Sequence, residues 1–240
     1  MDIHAVLFDL DDTLVAFDGV SESTWREVCV GYCGGKPGLD PEVIYGRIHE
    51  RASRFWSDPE RFRTGRLDLV TARKAIVREA FWDLGLPERD AEEVALRYSR
   101  LRLENMYLFP GARHTLDALR SRGCKMALLT NGDSEIQRWK IRRFDLEEYF
   151  QAVLIEGELG FGKPDPRVYR RALSALGVSA RNTVMVGDNP EWDVKAPQRE
   201  GIRAVWICRP GKEDLRALGI VPDWTIGGVA ELPVCLEGLL

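Results

Sequence analysis

Residues 3–14 read Ile3-His4-Ala5-Val6-Leu7-Phe8-Asp9-Leu10-Asp11-Asp12-Thr13-Leu14, an apolar run that stops at an acid and then sets three carboxylates within four positions. Short runs of branched apolar residues ending in a polar loop read as strands buried on both faces of a parallel sheet. The pattern recurs at Lys125–Thr130, Ala152–Ile155, Thr183–Gly187 and Ile202–Ile207, with a short sixth run at Trp224–Ile226. Helical stretches lie between them at 111–122, 133–143, 166–176 and just before Gly201. Strand and helix in alternation predict an α/β fold, a parallel sheet with helices on both faces. Ligands of such sheets bind outside the carboxyl ends of the strands, so Asp9, Thr130 and Asp188 are to be read together.

Residues 17–107 interrupt the alternation. No apolar strand stands out there, and helices are predicted at Ser21–Tyr32, Pro41–Phe55, Leu67–Leu84 and Arg89–Met106. Ser21 reads as a helix cap, Asp40-Pro41 as a helix opening, and Gly85 with Pro87 as a stop. A small all-helical domain over 17–107, inserted into a discontinuous core of 1–16 and 108–240, is the expected organisation.

Composition narrows the function. The 240 residues carry 34 basic and 38 acidic side chains, a formal charge of -4, which disfavours a nucleic-acid polymer as partner. Five cysteines (29, 33, 124, 208, 235) are odd in number and irregular in spacing, so reduced thiols in a cytoplasmic protein are expected rather than a disulfide framework or zinc site. No run approaches the roughly 20 apolar residues of a membrane span, and no signal-peptide pattern opens the chain.

The three acids after Phe8 call for an explanation. Like charges roughly 4 Å apart repel by about 4 kcal/mol at an effective dielectric of ~20. A divalent cation bound by hard oxygen ligands would offset that, magnesium being the natural choice; the other reading is a set of turn caps.

Phe8-Asp9-Leu10-Asp11-Asp12-Thr13-Leu14 resembles the first motif of the haloacid dehalogenase superfamily, Asp-x-Asp-x-Thr at the end of the first strand. Leu128-Leu129-Thr130-Asn131-Gly132 resembles the second, Gly162-Lys163-Pro164-Asp165-Pro166 the third, and Val186-Gly187-Asp188-Asn189-Pro190-Glu191-Trp192-Asp193 the fourth, in the expected order. The resemblance implies a Rossmann-like core, with residues 17–107 as a helical cap. It further implies Asp9 as a nucleophile forming an aspartyl-phosphate and Asp11 as acid and then base. Thr130, Asn131 and Lys163 would bind the phosphoryl group. The metal ligands map to the Asp9 carboxylate, the Asp11 carbonyl and the Asp188 carboxylate, with Asp193 as a further ligand or a supporting partner.

An acid at Asp11 separates the chain from the dehalogenases of the superfamily, and the cap's lysines, Lys36 and Lys74, are few for a Schiff-base phosphonatase. The expectation is a magnesium-dependent phosphatase acting on a small phosphorylated metabolite, as monomer or homodimer. Its rivals are a sugar phosphomutase with the same motifs and a non-enzymatic phosphate-binding module. Asp12 stands where many relatives have glycine, and Pro197 requires the short helix after the fourth motif to begin near Ala196. In the cap, Arg54–Arg66 mixes aromatics with arginines around Pro59 and Gly65, as a substrate-facing loop would. Arginine makes up 27 of the 34 basic residues, however, so Trp56 and Phe62 as ordinary packing is the preferred reading.

Overall fold

Strands β1 (Ala5–Phe8), β2 (Lys125–Thr130), β3 (Ala152–Ile155), β4 (Thr183–Gly187), β5 (Arg203–Ile207) and β6 (Trp224–Ile226) form one sheet in the order β3-β2-β1-β4-β5-β6, every pair parallel. The computed structural model describes residues 2–209, 215 and 219–240. They divide into two units, Met1–Ala16 with Tyr107–Leu240, and Phe17–Met106.

The apolar runs are strands because both faces are covered. Every residue of β1 and β4 is buried. Alternate side chains leave opposite faces. On one face Ala5, Leu7, Ala127, Leu129 and Met185 pack against Val168, Tyr169, Ala172 and Leu176 of α9 (Pro166–Leu176). On the other, Val6, Phe8, Met126 and Leu128 have no exposed surface, and Phe8 meets Phe150 edge to face at 6.1 Å. A large aliphatic or aromatic side chain withdrawn this fully contributes about 1.5–3 kcal/mol. The remaining helices of this unit are α6 (Ala112–Ser121), α7 (Ser134–Arg143), α8 (Glu156–Leu159), α10 (Ala196–Arg199) and α11 (Leu232–Cys235).

In the sheet order the chain passes from β1 outward through β2 to β3, then returns to β4 on the other side of β1. The β1–β4 junction is therefore the switch point of the sheet, the place where α/β folds open a crevice. Phe8 pairs with Leu128 on one side and Val186 on the other, so Asp9, Thr130 and Asp188 all leave the same edge.

The second unit is helical: α1 (Ser21–Cys33), α2 (Pro41–Ser57), α3 (Pro59–Gly65), α4 (Leu69–Asp83) and α5 (Glu88–Asn105). Its core is built from Trp25, Val28, Ile44, Ile48, Ile76, Phe81 and Tyr98, with the Trp25 and Tyr98 rings stacked 3.6 Å apart. Asp40 caps α2 by accepting from the Glu42 N–H at 2.9 Å, with Pro41 at the first helical position.

Two local expectations are corrected here. Ser21 does not cap α1. A 3-10 turn at Asp18–Val20 feeds straight into the helix, and the Ser21 hydroxyl is 2.8 Å from the Tyr98 hydroxyl. Arg54–Arg66 is not a loop either: α2 runs on to Ser57, and α3 opens at Asp58, whose side chain accepts from the Arg61 N–H at 2.8 Å. Trp56 packs edge-on against Phe55 and Phe62, while Arg54 and Arg63 pair with Glu50 and Glu60, so the ordinary-packing reading describes the segment. Among the described residues no helix is long and apolar enough to cross a membrane.

Candidate active site

Asp9 follows β1 directly, and its N–H donates to the Val186 carbonyl at 3.0 Å, carrying the β1–β4 pairing one residue beyond the strand. The chain then turns back on itself, with the Leu14 and Val15 N–H groups both donating to the Leu10 carbonyl. Asp12 sits in this turn at φ 54°, the left-handed region that favours glycine. Aspartate is one of the few other residues that visits it readily, which accounts for an acid being tolerated here. Arg209 secures the turn by donating to the Asp12 carbonyl.

The turn brings Thr13 back onto Asp9. Its hydroxyl donates to Asp9 Oδ2 at 3.0 Å, while Lys163 Nζ donates to Asp9 Oδ1 at 2.7 Å and to Asp193 Oδ1 at 2.7 Å. Lys163 is 1% exposed, Asp9 7% and Asp193 0%, so this triad is withdrawn from bulk water. Lys163 is fixed through its backbone. Asn131 Nδ2 donates to the Lys163 carbonyl at 2.6 Å, and the Lys163 N–H donates to Asn131 Oδ1 at 2.8 Å. Gly162 makes this approach possible: a Cβ there would lie 2.4 Å from Asn131 Oδ1.

Asp193 comes from an unusual element. Residues Pro190–Lys195 form a π-helical turn, wider than an α-helix and common at functional sites. Asn189 caps it, accepting from the Glu191 and Trp192 N–H groups at 3.1 and 3.0 Å, and the Asn189 N–H donates to Asp193 Oδ2 at 2.9 Å. The side chain folds back over Gly187, where a Cβ would stand 2.3 Å from the Asp193 carboxylate. The short helix α10 then begins at Ala196, with Pro197 in its first turn, as the sequence requires.

Carboxylate oxygens of Asp9, Asp188 and Asp193 lie within 4.8 Å of one another. Burial pushes the Asp9 carboxyl well above the usual carboxylate range; Lys163 pulls it down, and Asp193 and Asp188 push it up again. Asp193 is raised by the same burial and by Asp188, against the pull of Lys163. For Lys163, burial acts downward, but the attraction of Asp193 and Asp9 prevails and keeps the ammonium protonated. A set of hard oxygen donors this close, with negative charge in excess, suits a small divalent cation.

The structure thus brings Asp9, Lys163, Asp188 and Asp193 together. Thr130, 3% exposed at the end of β2, receives a hydrogen bond from Gln137 Nε2 on its hydroxyl. Asn131 is at hand, but its side-chain amide is committed to the Lys163 backbone. Asp11 turns to the helix side: Lys140 Nζ donates to its Oδ1 and Oδ2 at 2.7 and 2.8 Å, and Gln137 Nε2 lies 3.0 Å from Oδ2. Sequence reasoning missed Gln137, Lys140 and Asn189. The first two stand three apart on α7 and look like any solvated helix face; the third carried a signal, since Asn before Pro is a common helix opening.

The sheet order defines a Rossmann-like α/β protein, with a cluster of acids around a buried lysine at its strand ends. A family model described as haloacid dehalogenase-like hydrolase matches residues 3–201, and the chain belongs to that family. The phosphoserine phosphatase of Thermus thermophilus is 36% identical, with 95% of this chain and 96% of that protein aligned. The N-acylneuraminate-9-phosphatase of Homo sapiens is 31% identical over 99% of this chain and 95% of its own length. Among solved structures, a HAD phosphatase from Thermococcus onnurineus superposes with a TM-score of 0.65 at 26% identity, covering 99% of both chains.

Proposed function

We propose that this phosphoric monoester hydrolase is magnesium-dependent and acts on a small phosphorylated metabolite through an aspartyl-phosphate on Asp9. The observation that carries the reading is the buried Asp9 carboxylate, clamped between Thr13 and Lys163 at the carboxyl end of β1, with Asp188 and Asp193 beside it. Two curated relatives, named phosphoserine phosphatase and N-acylneuraminate-9-phosphatase, support hydrolysis over phosphomutation.

Magnesium would be held by the carboxylates of Asp9 and Asp188 and the carbonyl of Asp11, and when bound it neutralises charge between nucleophile and substrate. Thr13 and Lys163 orient the Asp9 carboxylate for in-line attack on phosphorus. The new Asp9 oxygen–phosphorus bond forms as the ester bond breaks, and Asp11 gives its proton to the leaving oxygen. Asp11 then takes a proton from the water that attacks the acyl phosphate, which frees inorganic phosphate and restores Asp9. Lys163 and the Thr130 hydroxyl stabilise the equatorial oxygens of the transferring group. Asp193 holds Lys163 in place through its own contact with Nζ, and Asn131 fixes the Lys163 backbone. Selection among phosphate esters is assigned to the helical unit Phe17–Met106, the position the superfamily gives its cap.

Phosphate release from a panel of small phosphate esters, measured with magnesium and with EDTA, tests the reading. Release that needs magnesium is the expected result; release undiminished by EDTA would refute metal dependence, and no release from any ester would refute the phosphatase.

A further inference from the structure

The helical unit is rich in arginines, and Arg26, Arg51, Arg54 and Arg63, all reached by solvent, each meet a glutamate or aspartate. Arg73, on α4, is the opposite case. It is 6% exposed, and its Nη1 donates to the Ser99 hydroxyl at 3.1 Å, but among the described residues no carboxylate pairs with it. Ser99 in turn donates to the Ala95 carbonyl at 2.9 Å, so Arg73 meets a neutral acceptor. A second guanidinium stands close by. Arg102, on α5 and 7% exposed, shares the Tyr98 ring with Arg73, the two lying 5.7 and 5.0 Å from its centroid. Arg102 Nη2 donates to the Phe17 carbonyl at 3.2 Å and to Asp18 Oδ1 at 3.1 Å, while its Nε is buried without an acceptor. Burial and the charge of Arg102 pull the Arg73 guanidinium down to about 10, with Tyr98 alone acting the other way, so it stays charged at neutral pH.

Two buried guanidiniums and the one carboxylate of Asp18 leave a single positive charge in excess. Withdrawing a charge from water is costly unless it is paired and hydrogen-bonded, and the face of an aromatic ring offsets only part of that cost. Asp18 serves Arg102 from the solvent side, its own side chain 81% exposed. We propose that Arg73 and Arg102 form a binding site for a small carboxylate, supplied either by the ester itself or by a separate molecule. A monoanion matches the single charge in excess, and a planar carboxylate fits the fork of donors that a guanidinium presents. Where the acid belongs to the ester, the proposal rests on the function proposed above and narrows its substrates to phosphorylated carboxylic acids. The site within the helical unit does not depend on that function.

The test compares kcat/KM on 3-phosphoglycerate and on sn-glycerol 3-phosphate, which differ in one carboxylate, for wild type, Arg73→Met and Arg73→Lys. Thermal melting of each protein is followed in sodium lactate and in sodium chloride at equal ionic strength. Arg73→Met, relieved of a buried charge that lacks a counter-ion, should melt no lower than wild type in chloride. It is expected to lose about tenfold or more on 3-phosphoglycerate and about threefold or less on the glycerol ester, with Arg73→Lys between it and wild type. That pattern assigns the acid to the ester. Equal behaviour on both esters, with lactate raising the melting point of wild type but not of Arg73→Met, assigns it to a separate carboxylate. Arg73→Lys, which keeps the charge and breaks the fork, carries the comparison if Arg73→Met does not fold. Equal losses on both esters in a folded variant, with no lactate effect that the substitution removes, would overturn the site while leaving the phosphatase intact. A wild type that hydrolyses no phosphate ester would refute the phosphatase, and the lactate melting then decides the site by itself.

Discussion

Lys163→Met removes the cation that stands between two buried acids and keeps nearly the same volume. Lys163 Nζ is 2.7 Å from Asp9 Oδ1 and 2.7 Å from Asp193 Oδ1. At an effective dielectric of ~20 each such contact is an attraction of about 6 kcal/mol. The desolvation of lysine offsets much of it, and the measured cost of stripping one partner from a buried pair is about 3–5 kcal/mol. Without the lysine, Asp9, Asp188 and Asp193 face one another within 4.8 Å. Urea unfolding in EDTA should therefore show the variant about 3–5 kcal/mol less stable than wild type. In magnesium the gap should narrow, because the bare acids bind the cation more tightly; each tenfold gain in affinity returns about 1.4 kcal/mol at saturation. A gap below ~1 kcal/mol in EDTA, or one that magnesium leaves unchanged, would refute the account of Lys163 as the neutralising charge.

Two further outcomes follow from packing and burial. Gly187→Ala puts a methyl group 2.3 Å from the Asp193 carboxylate, so Asp193 must move; a loss of about 1–3 kcal/mol by thermal or urea unfolding is expected, and an unchanged midpoint would contradict the close packing. Burial pushes the Cys29 thiol up to about 12 and the Cys124 thiol up to about 11. Since the thiolate is the reactive form, both should resist alkylation at pH 8 in the folded protein and react on unfolding; rapid native labelling of either, located by peptide mass spectrometry, would contradict their burial.

Much of the sheet was legible because parallel strands buried on both faces must be continuously apolar. β2, β3, β4 and β6 run over the residues the sequence marks, and β1 starts two residues later than its apolar run. The acids at their ends were legible too, since a run such as Ala5–Phe8 stopping at Asp9 has few structural reasons to do so. What escaped notice depends on contacts made far along the chain. Asp58-Pro59 carries the same helix-opening signal as Asp40-Pro41, but the arginines around it suggested a loop. Ser21 has the right chemistry for a cap, yet the preceding 3-10 turn leaves no extended residue to cap from, and its hydroxyl turns to Tyr98 instead. The π-helical turn over Pro190–Lys195 has no periodicity that announces it. Lys140 and Gln137 read as solvated because nothing within α7 reveals that Asp11, well over a hundred residues earlier, comes to rest on them.

The central claim is that Asp9 carries the phosphoryl group. Rapid mixing with substrate and magnesium, acid quenching within the first turnovers, and mass spectrometry of the peptide containing Asp9 test it most directly. A phosphorylated Asp9 that appears and decays in wild type, and is absent from an Asp9→Asn variant that releases no phosphate, is the predicted result. Phosphate release while the Asp9 peptide stays unmodified at every time, or substantial turnover by Asp9→Asn, would contradict the account.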